Sequence, residues 1–184
     1  MVAMGQLLSA NSNTPIPSLR NAFFVGDLLT KRDCSRLQNL AFNTNIINMY
    51  GTTETQRSVS YFTIPPVSSS PAFLSSQKDV IPAGKGMHNV QLLVVSRQKK
   101  DILCGVGEIG EIYVRAGGLA EGYLGLDDVT KEKFLTNWFR SSTIDKKEVN
   151  ERWGQFWKGE RDRLYKTGDL GRYMTDGNGT NKFF

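Results

Sequence analysis

The sequence predicts an α/β fold, with a mixed-sheet portion over residues 1–64 and a β-rich portion over residues 72–184, and three observations carry that prediction. An apolar strand pattern, a helical 3-to-4 spacing and a second apolar strand pattern follow one another between residues 22 and 50, the order of a βαβ-like unit. Residues 65–71, Pro-Pro-Val-Ser-Ser-Ser-Pro, read as an extended linker. Beyond them the apolar segments are short and β-like.

In chain order, residues 11–17 are a polar, turn-rich stretch, and Ala22-Phe23-Phe24-Val25 reads as a short buried strand closed by Gly26. Thr30 then has the position of a helix N-cap, with Asp33 three residues on as a variant capping box. Cys34, Leu37 and Leu40 continue the apolar face of that helix. Ile46-Ile47-Asn48-Met49-Tyr50 is a second strand running into the polar Gly51-Thr52-Thr53-Glu54. Strands follow at Val90–Val95 and over residues 111–115. Residues 110–124 read as a hairpin and a glycine-rich turn, and residues 130–138 as a short helix. A charged insertion over residues 141–163 holds a further helical pattern around residues 149–157.

Charge and cysteine content exclude several function classes. The net charge is +5, but the basic residues interleave with acids, as in Lys131-Glu132-Lys133, which marks a solvated surface and not a nucleic-acid groove. Cys34 and Cys104 are far apart and fit neither a disulfide framework nor a zinc site, so a reducing, cytoplasmic setting is expected. The first eight residues carry neither a signal-peptide pattern nor a membrane span, so no membrane partner is expected. Asn178-Gly179-Thr180 is a chance glycosylation tripeptide, and Gly84-Lys85-Gly86 lacks the spacing of a phosphate loop. His88, the only histidine, has no triad or metal partners nearby; Cys34 reads as core, and Trp138, Trp153 and Trp157 as packing anchors.

Two segments carry chemistry. Residues 48–54 have the form N-x-Y-G-x-T-E at the carboxyl end of a strand, where ligands of open α/β sheets sit. Tyr50 offers an aromatic face for a base, Gly51 removes the Cβ that would block a close approach, and Thr53 donates to a phosphate. Glu54 supplies a hard oxygen for Mg²⁺. In Tyr165-Lys166-Thr167-Gly168-Asp169-Leu170, Asp169 follows a glycine turn, and its carboxylate suits a vicinal diol.

In this order and separation these residues resemble the middle core motifs of the adenylate-forming superfamily. The longer strings over residues 48–62, 119–125 and 161–173 are similar to the large subunits of fungal alpha-aminoadipate reductases, from about Met4 to about Gly177. The resemblance implies an incomplete adenylation (AMP-binding) domain over residues 1–184, its sheet portion followed by a barrel-like subdomain. It implies ATP-dependent activation of L-2-aminoadipate to an acyl-adenylate in lysine biosynthesis. Asn48, Tyr50, Gly51, Thr52, Thr53 and Asp169 would bind the nucleotide, Thr53 and Glu54 would act in catalysis, and Glu54 would hold Mg²⁺; Arg172 matches no nucleotide-contacting motif. NADPH and phosphopantetheine would serve other domains of the same polypeptide, loaded by a phosphopantetheinyl transferase. No carrier serine motif or dinucleotide fingerprint occurs within these 184 residues. The family's phosphate loop, hinge and catalytic lysine are likewise missing, so the chain alone is expected to be inactive. An adenylation segment for another carboxylic or amino acid, and a non-catalytic nucleotide-binding remnant, remain the alternatives.

Overall fold

The computed structural model describes residues 15–56, 58–138, 162–175 and 181–183. Its first sheet has four strands in the order β1-β2-β3-β4: β1 (Asn21–Val25), β2 (Asn45–Tyr50), β3 (Ser60–Ile64) and β4 (Lys85–Gly86). β1 and β2 are parallel, whereas β3 runs antiparallel to both β2 and β4. The helix between the parallel strands, α1 (Lys31–Leu40), completes the β-α-β unit.

Helix α1 starts where the capping box predicts. The Thr30 hydroxyl accepts from the Asp33 N–H at 3.2 Å, and the Asp33 carboxylate accepts from the Thr30 N–H at 3.4 Å. Its buried Cys34 and Leu37 join Ile46, Phe62, Ile64 and Ile81 in the first core. Burial pushes the Cys34 thiol up to about 12, helped by the neighbouring Asp33, so this cysteine is inert packing. One expectation fails here: β1 is not a buried strand, because it lies at the sheet edge with exposed and half-buried residues alternating, and Phe23 is 64% exposed.

Residues 65–71 do not run extended. The Ser69 and Ser70 N–H groups both donate to the Pro66 carbonyl, forming a turn. The chain then returns to the first sheet through β4, and the change of sheet falls between Gly86 and Val90. Gly84 makes that return possible, since its φ is +87° and a Cβ there would stand 1.9 Å from the Tyr61 carbonyl oxygen. Gly84→Ala is therefore expected to cost more than about 1 kcal/mol, read as a lower urea midpoint at unchanged slope.

The second sheet is antiparallel, in the order β5-β6-β8-β7, with β5 (Val90–Val95), β6 (Gly110–Ala116), β7 (Phe134–Thr136) and β8 (Arg163–Gly171). It is an open sheet and not a closed barrel. Leu92, Val94, Ile112, Val114, Phe134 and Tyr165 form its core. Residues 110–124 are no hairpin: β6 is one strand flanked by β5 and β8, followed by a loop. The predicted helix over residues 130–138 is also displaced. Helix α2 spans Asp127–Lys133, with acids in its first turn and lysines in its last, as the helix dipole favours. Phe134 is drawn instead into the core beside Tyr165 and starts β7.

The bidentate pair of Arg115 and Asp162 ties the second sheet together. Nε meets Oδ1 at 2.8 Å and an Nη meets Oδ2 at 2.9 Å, with both side chains buried, while Gln91 accepts from Arg115 at 2.8 Å. Trp138 packs edge-on against Tyr113 as an anchor. A short ribbon of β9 (Tyr173–Thr175) and β10 (Asn181–Phe183) follows. The helical pattern around residues 149–157, Trp153, Trp157 and the tripeptide at 178–180 lie outside the described residues.

Candidate active site

Both chemical segments contribute to one cleft of about 930 Å³ between the sheets, at the carboxyl ends of the parallel strands β1 and β2. Asn48, Tyr50, Gly51 and Asp169 line it, and so do Lys78 and Arg172, which sequence reasoning left unassigned. Tyr50 closes β2, and its hydroxyl donates to Asp169 Oδ2 at 2.7 Å across 119 residues of sequence. Burial, together with the Asp169 carboxylate, pushes the Tyr50 phenol above its ordinary range, so it stays a donor.

Asp169 is aimed by an irregularity in β8. The pairing slips between Glu111 opposite Leu170 and Tyr113 opposite Lys166, and Gly168 takes a φ of +87° inside that slip. The Thr167 hydroxyl donates to the Ile112 carbonyl at 2.7 Å and accepts from the Asp169 N–H at 3.0 Å, fixing the bulge. The Asn48 side chain is spent differently. It is buried and donates to the Ile81 and Pro82 carbonyls at 3.2 and 2.8 Å, so it secures the segment that forms the opposite wall.

Thr52, Thr53 and Glu54 are not among the cleft's lining residues and stand on the turn that leaves it. Thr53–Thr55 is one turn of 3-10 helix. The Thr52 N–H donates to the Thr55 hydroxyl at 2.9 Å, Thr53 is exposed, and Gln56 ends the turn in a left-handed conformation with φ 60°. Glu54 Oε1 accepts from the Tyr123 hydroxyl at 2.6 Å, and the Tyr165 hydroxyl lies 3.3 Å from that of Tyr123. Burial alone would raise the Glu54 carboxyl, but hydrogen bonds led by Tyr123 hold it below the usual carboxylate range. Sequence reasoning missed both tyrosines as neighbours of Glu54. Their only signal was their place in the Gly-Tyr-Leu and Tyr-Lys-Thr-Gly-Asp strings.

The pattern shared by the family described as "AMP-binding enzyme" covers residues 1–124. This chain belongs to the AMP-binding enzymes. It is 63% identical over 178 residues to the L-2-aminoadipate reductase of Schizosaccharomyces pombe, an alignment covering 96% of this chain and 12% of that protein. To the L-2-aminoadipate reductase of Saccharomyces cerevisiae it is 63% identical over 179 residues, covering 95% of this chain and 13% of the relative. The chain thus spans about an eighth of the length of the enzymes it matches, between 12% and 13%. Among solved structures, the Vibrio cholerae adenylation domain AlmE, in complex with glycyl-adenosine-5'-phosphate, superposes with a TM-score of 0.68 at 21% identity. That superposition covers all of this chain and 29% of AlmE, and it establishes that this AMP-binding chain has the adenylation-domain fold.

Proposed function

We propose that this chain is the nucleotide-handling part of an L-2-aminoadipate reductase of lysine biosynthesis, activating L-2-aminoadipate with ATP. The observation that carries the reading is the Tyr50–Asp169 pair facing one cleft from two sheets. In this reading the Tyr50 ring flanks adenine, with Gly51 and Thr52 beside it, and Asp169 accepts hydrogen bonds from the ribose hydroxyls. The exposed Thr53 meets the α-phosphate. A carboxylate oxygen of 2-aminoadipate attacks the α-phosphorus, the new O–P bond forms, and the bond to pyrophosphate breaks. Asn48 contributes by holding the wall of the site.

Magnesium fits the donor set. No group of three or more His, Cys, Asp or Glu side chains able to hold a metal occurs among the described residues, but Mg²⁺ needs only one or two carboxylates when nucleotide phosphates supply other ligands. Glu54 is such a carboxylate, kept ionised. When bound, the ion would neutralise charge on the phosphates. Thiolation and NADPH-dependent reduction fall, in this reading, to other parts of a longer polypeptide. Cys34 and Cys104 are free thiols, which suits the cytoplasm. Among the described residues no helix is long and apolar enough to cross a membrane.

Asp169→Ala tests the proposal directly. In the complete protein it is expected to raise the KM for ATP roughly 10- to 100-fold, since hydrogen bonds to a charged group are worth about 1.5–3 kcal/mol each. The measurement is pyrophosphate exchange into ATP dependent on 2-aminoadipate; an unchanged KM would remove Asp169 from the ribose site.

A further inference from the structure

We infer that Tyr123 and Tyr165 are positioning residues for Glu54, two stacked hydroxyls that fix its carboxylate so that the second oxygen faces a divalent cation bound with the nucleotide. The inference rests on the reading of Glu54 as a magnesium ligand and adds the residues through which the fold controls it.

The geometry has three layers. Tyr123 donates to Glu54 Oε1 at 2.6 Å, a charge-assisted bond at the short end of its range. Tyr165 stands behind it, hydroxyl to hydroxyl at 3.3 Å. Phe134 holds both rings from the side, with its centroid 5.7 Å from the ring of Tyr123 and 4.9 Å from that of Tyr165. Rotation of either phenol would therefore disturb the core of the second sheet.

The loop bearing Tyr123 is itself docked on the turn that bears Glu54. The Ala120 N–H donates to the Glu54 carbonyl at 2.8 Å, so backbone and side chain of Glu54 are gripped by one loop. The Tyr123 N–H donates to the Thr130 hydroxyl at 2.8 Å. Gly122 permits that approach, because a Cβ there would come within 2.3 Å of the Thr130 methyl. Helix α2, β7, β8 and the loop between β6 and α2 thus converge on one carboxylate of the first sheet. An unrestrained glutamate on a one-turn 3-10 helix would sample several rotamers, and ordering it at each binding event would weaken the metal site.

The test uses the complete protein and reads Mn²⁺ binding by electron paramagnetic resonance, with a non-hydrolysable ATP analogue present. Tyr123→Phe keeps the ring against Phe134 and removes the hydroxyl. It is expected to weaken Mn²⁺ binding roughly 5- to 10-fold, less than the full loss of a hydrogen bond to a charged group, because the lost bond orients the ligand and does not itself touch the ion. Tyr165→Phe, acting through Tyr123, gives a smaller loss in the same direction and decides the matter if Tyr123→Phe does not fold. The double variant Glu54→Gln/Tyr123→Phe is expected to bind Mn²⁺ no more weakly than Glu54→Gln alone, as coupled residues do. Wild-type affinity in both tyrosine variants, with affinity lost in Glu54→Gln, overturns the positioning role and leaves Glu54 as the ligand. Additive losses overturn it equally. Wild-type affinity in Glu54→Gln overturns the reading of Glu54 itself, and the positioning role with it.

Discussion

Replacing Glu54 by alanine in the complete protein is expected to lower 2-aminoadipate-dependent pyrophosphate exchange by roughly 10²- to 10³-fold, the usual loss on removing one preorganised charge-stabilising group. Glu54 stands on a one-turn 3-10 helix after the strand that carries Tyr50, and its carboxylate is held ionised by Tyr123. Its described hydrogen-bond partners, Tyr123 directly and Tyr165 behind it, are hydroxyls and supply no anionic oxygen in its place. On the proposed reading the loss should fall mainly on kcat and on the magnesium requirement, while binding of nucleotide alone, which that reading assigns to Tyr50 and Asp169, changes little. Titration of exchange rate against Mg²⁺ at saturating ATP checks it. A variant with wild-type exchange would show that Glu54 merely packs the loop of Tyr123.

Asp162→Ala is expected to destabilise the domain by about 3–5 kcal/mol, the range for breaking a buried ion pair and stranding its partner. Arg115 is 6% exposed and Asp162 fully buried, so the guanidinium left behind is largely shut off from water. Among the described residues, Gln91 would remain to accept from it. Asp162 also accepts from the Asn137 side chain at 3.3 Å, a bond the change removes, while the backbone bond from the Asn137 N–H to the Asp162 carbonyl at 2.8 Å stays. Urea denaturation measures the loss. Replacing both partners by apolar residues, Arg115→Met with Asp162→Leu, should recover most of it, because the penalty comes from the unpaired charge and not from the lost attraction. If the double replacement is as unstable as Asp162→Ala, the explanation by an unpaired charge is wrong, and the lost side-chain hydrogen bond from Asn137 is the next candidate.

The contrast between these two residues shows how far the sequence could be read. Glu54 could be singled out as a candidate because it sits in a dense string, Asn-x-Tyr-Gly-x-Thr-Glu, at the end of an apolar strand. Asp162 carried no such signal. It lies beside a charged stretch, and surface acids outnumber buried ones, so its burial and its pairing with Arg115, 47 residues away, came from the fold. Arg172 and Lys78 were equally silent until the fold placed them at the cleft.

What the sequence determined by itself is therefore local: the capping box at Thr30 and Asp33, the apolar face of α1 through Cys34 and Leu37, the strands β2 and β5, and the two strings that carry Tyr50, Glu54 and Asp169. These depend on residues within one turn or one strand of each other, where spacing alone specifies the hydrogen bond or the buried face. Tertiary structure decided the rest. It made Phe134 the start of a strand because the core beside Tyr165 had room for its ring, and left β1 an exposed edge. It returned the chain to the first sheet at β4 after the proline-rich turn. It joined Tyr50 to Asp169 and Tyr123 to Glu54 across 119 and 69 residues. Such partners are chosen by which strands pair and how the sheets meet, a choice made by burial of apolar area summed over the whole chain, so no window of sequence contains it.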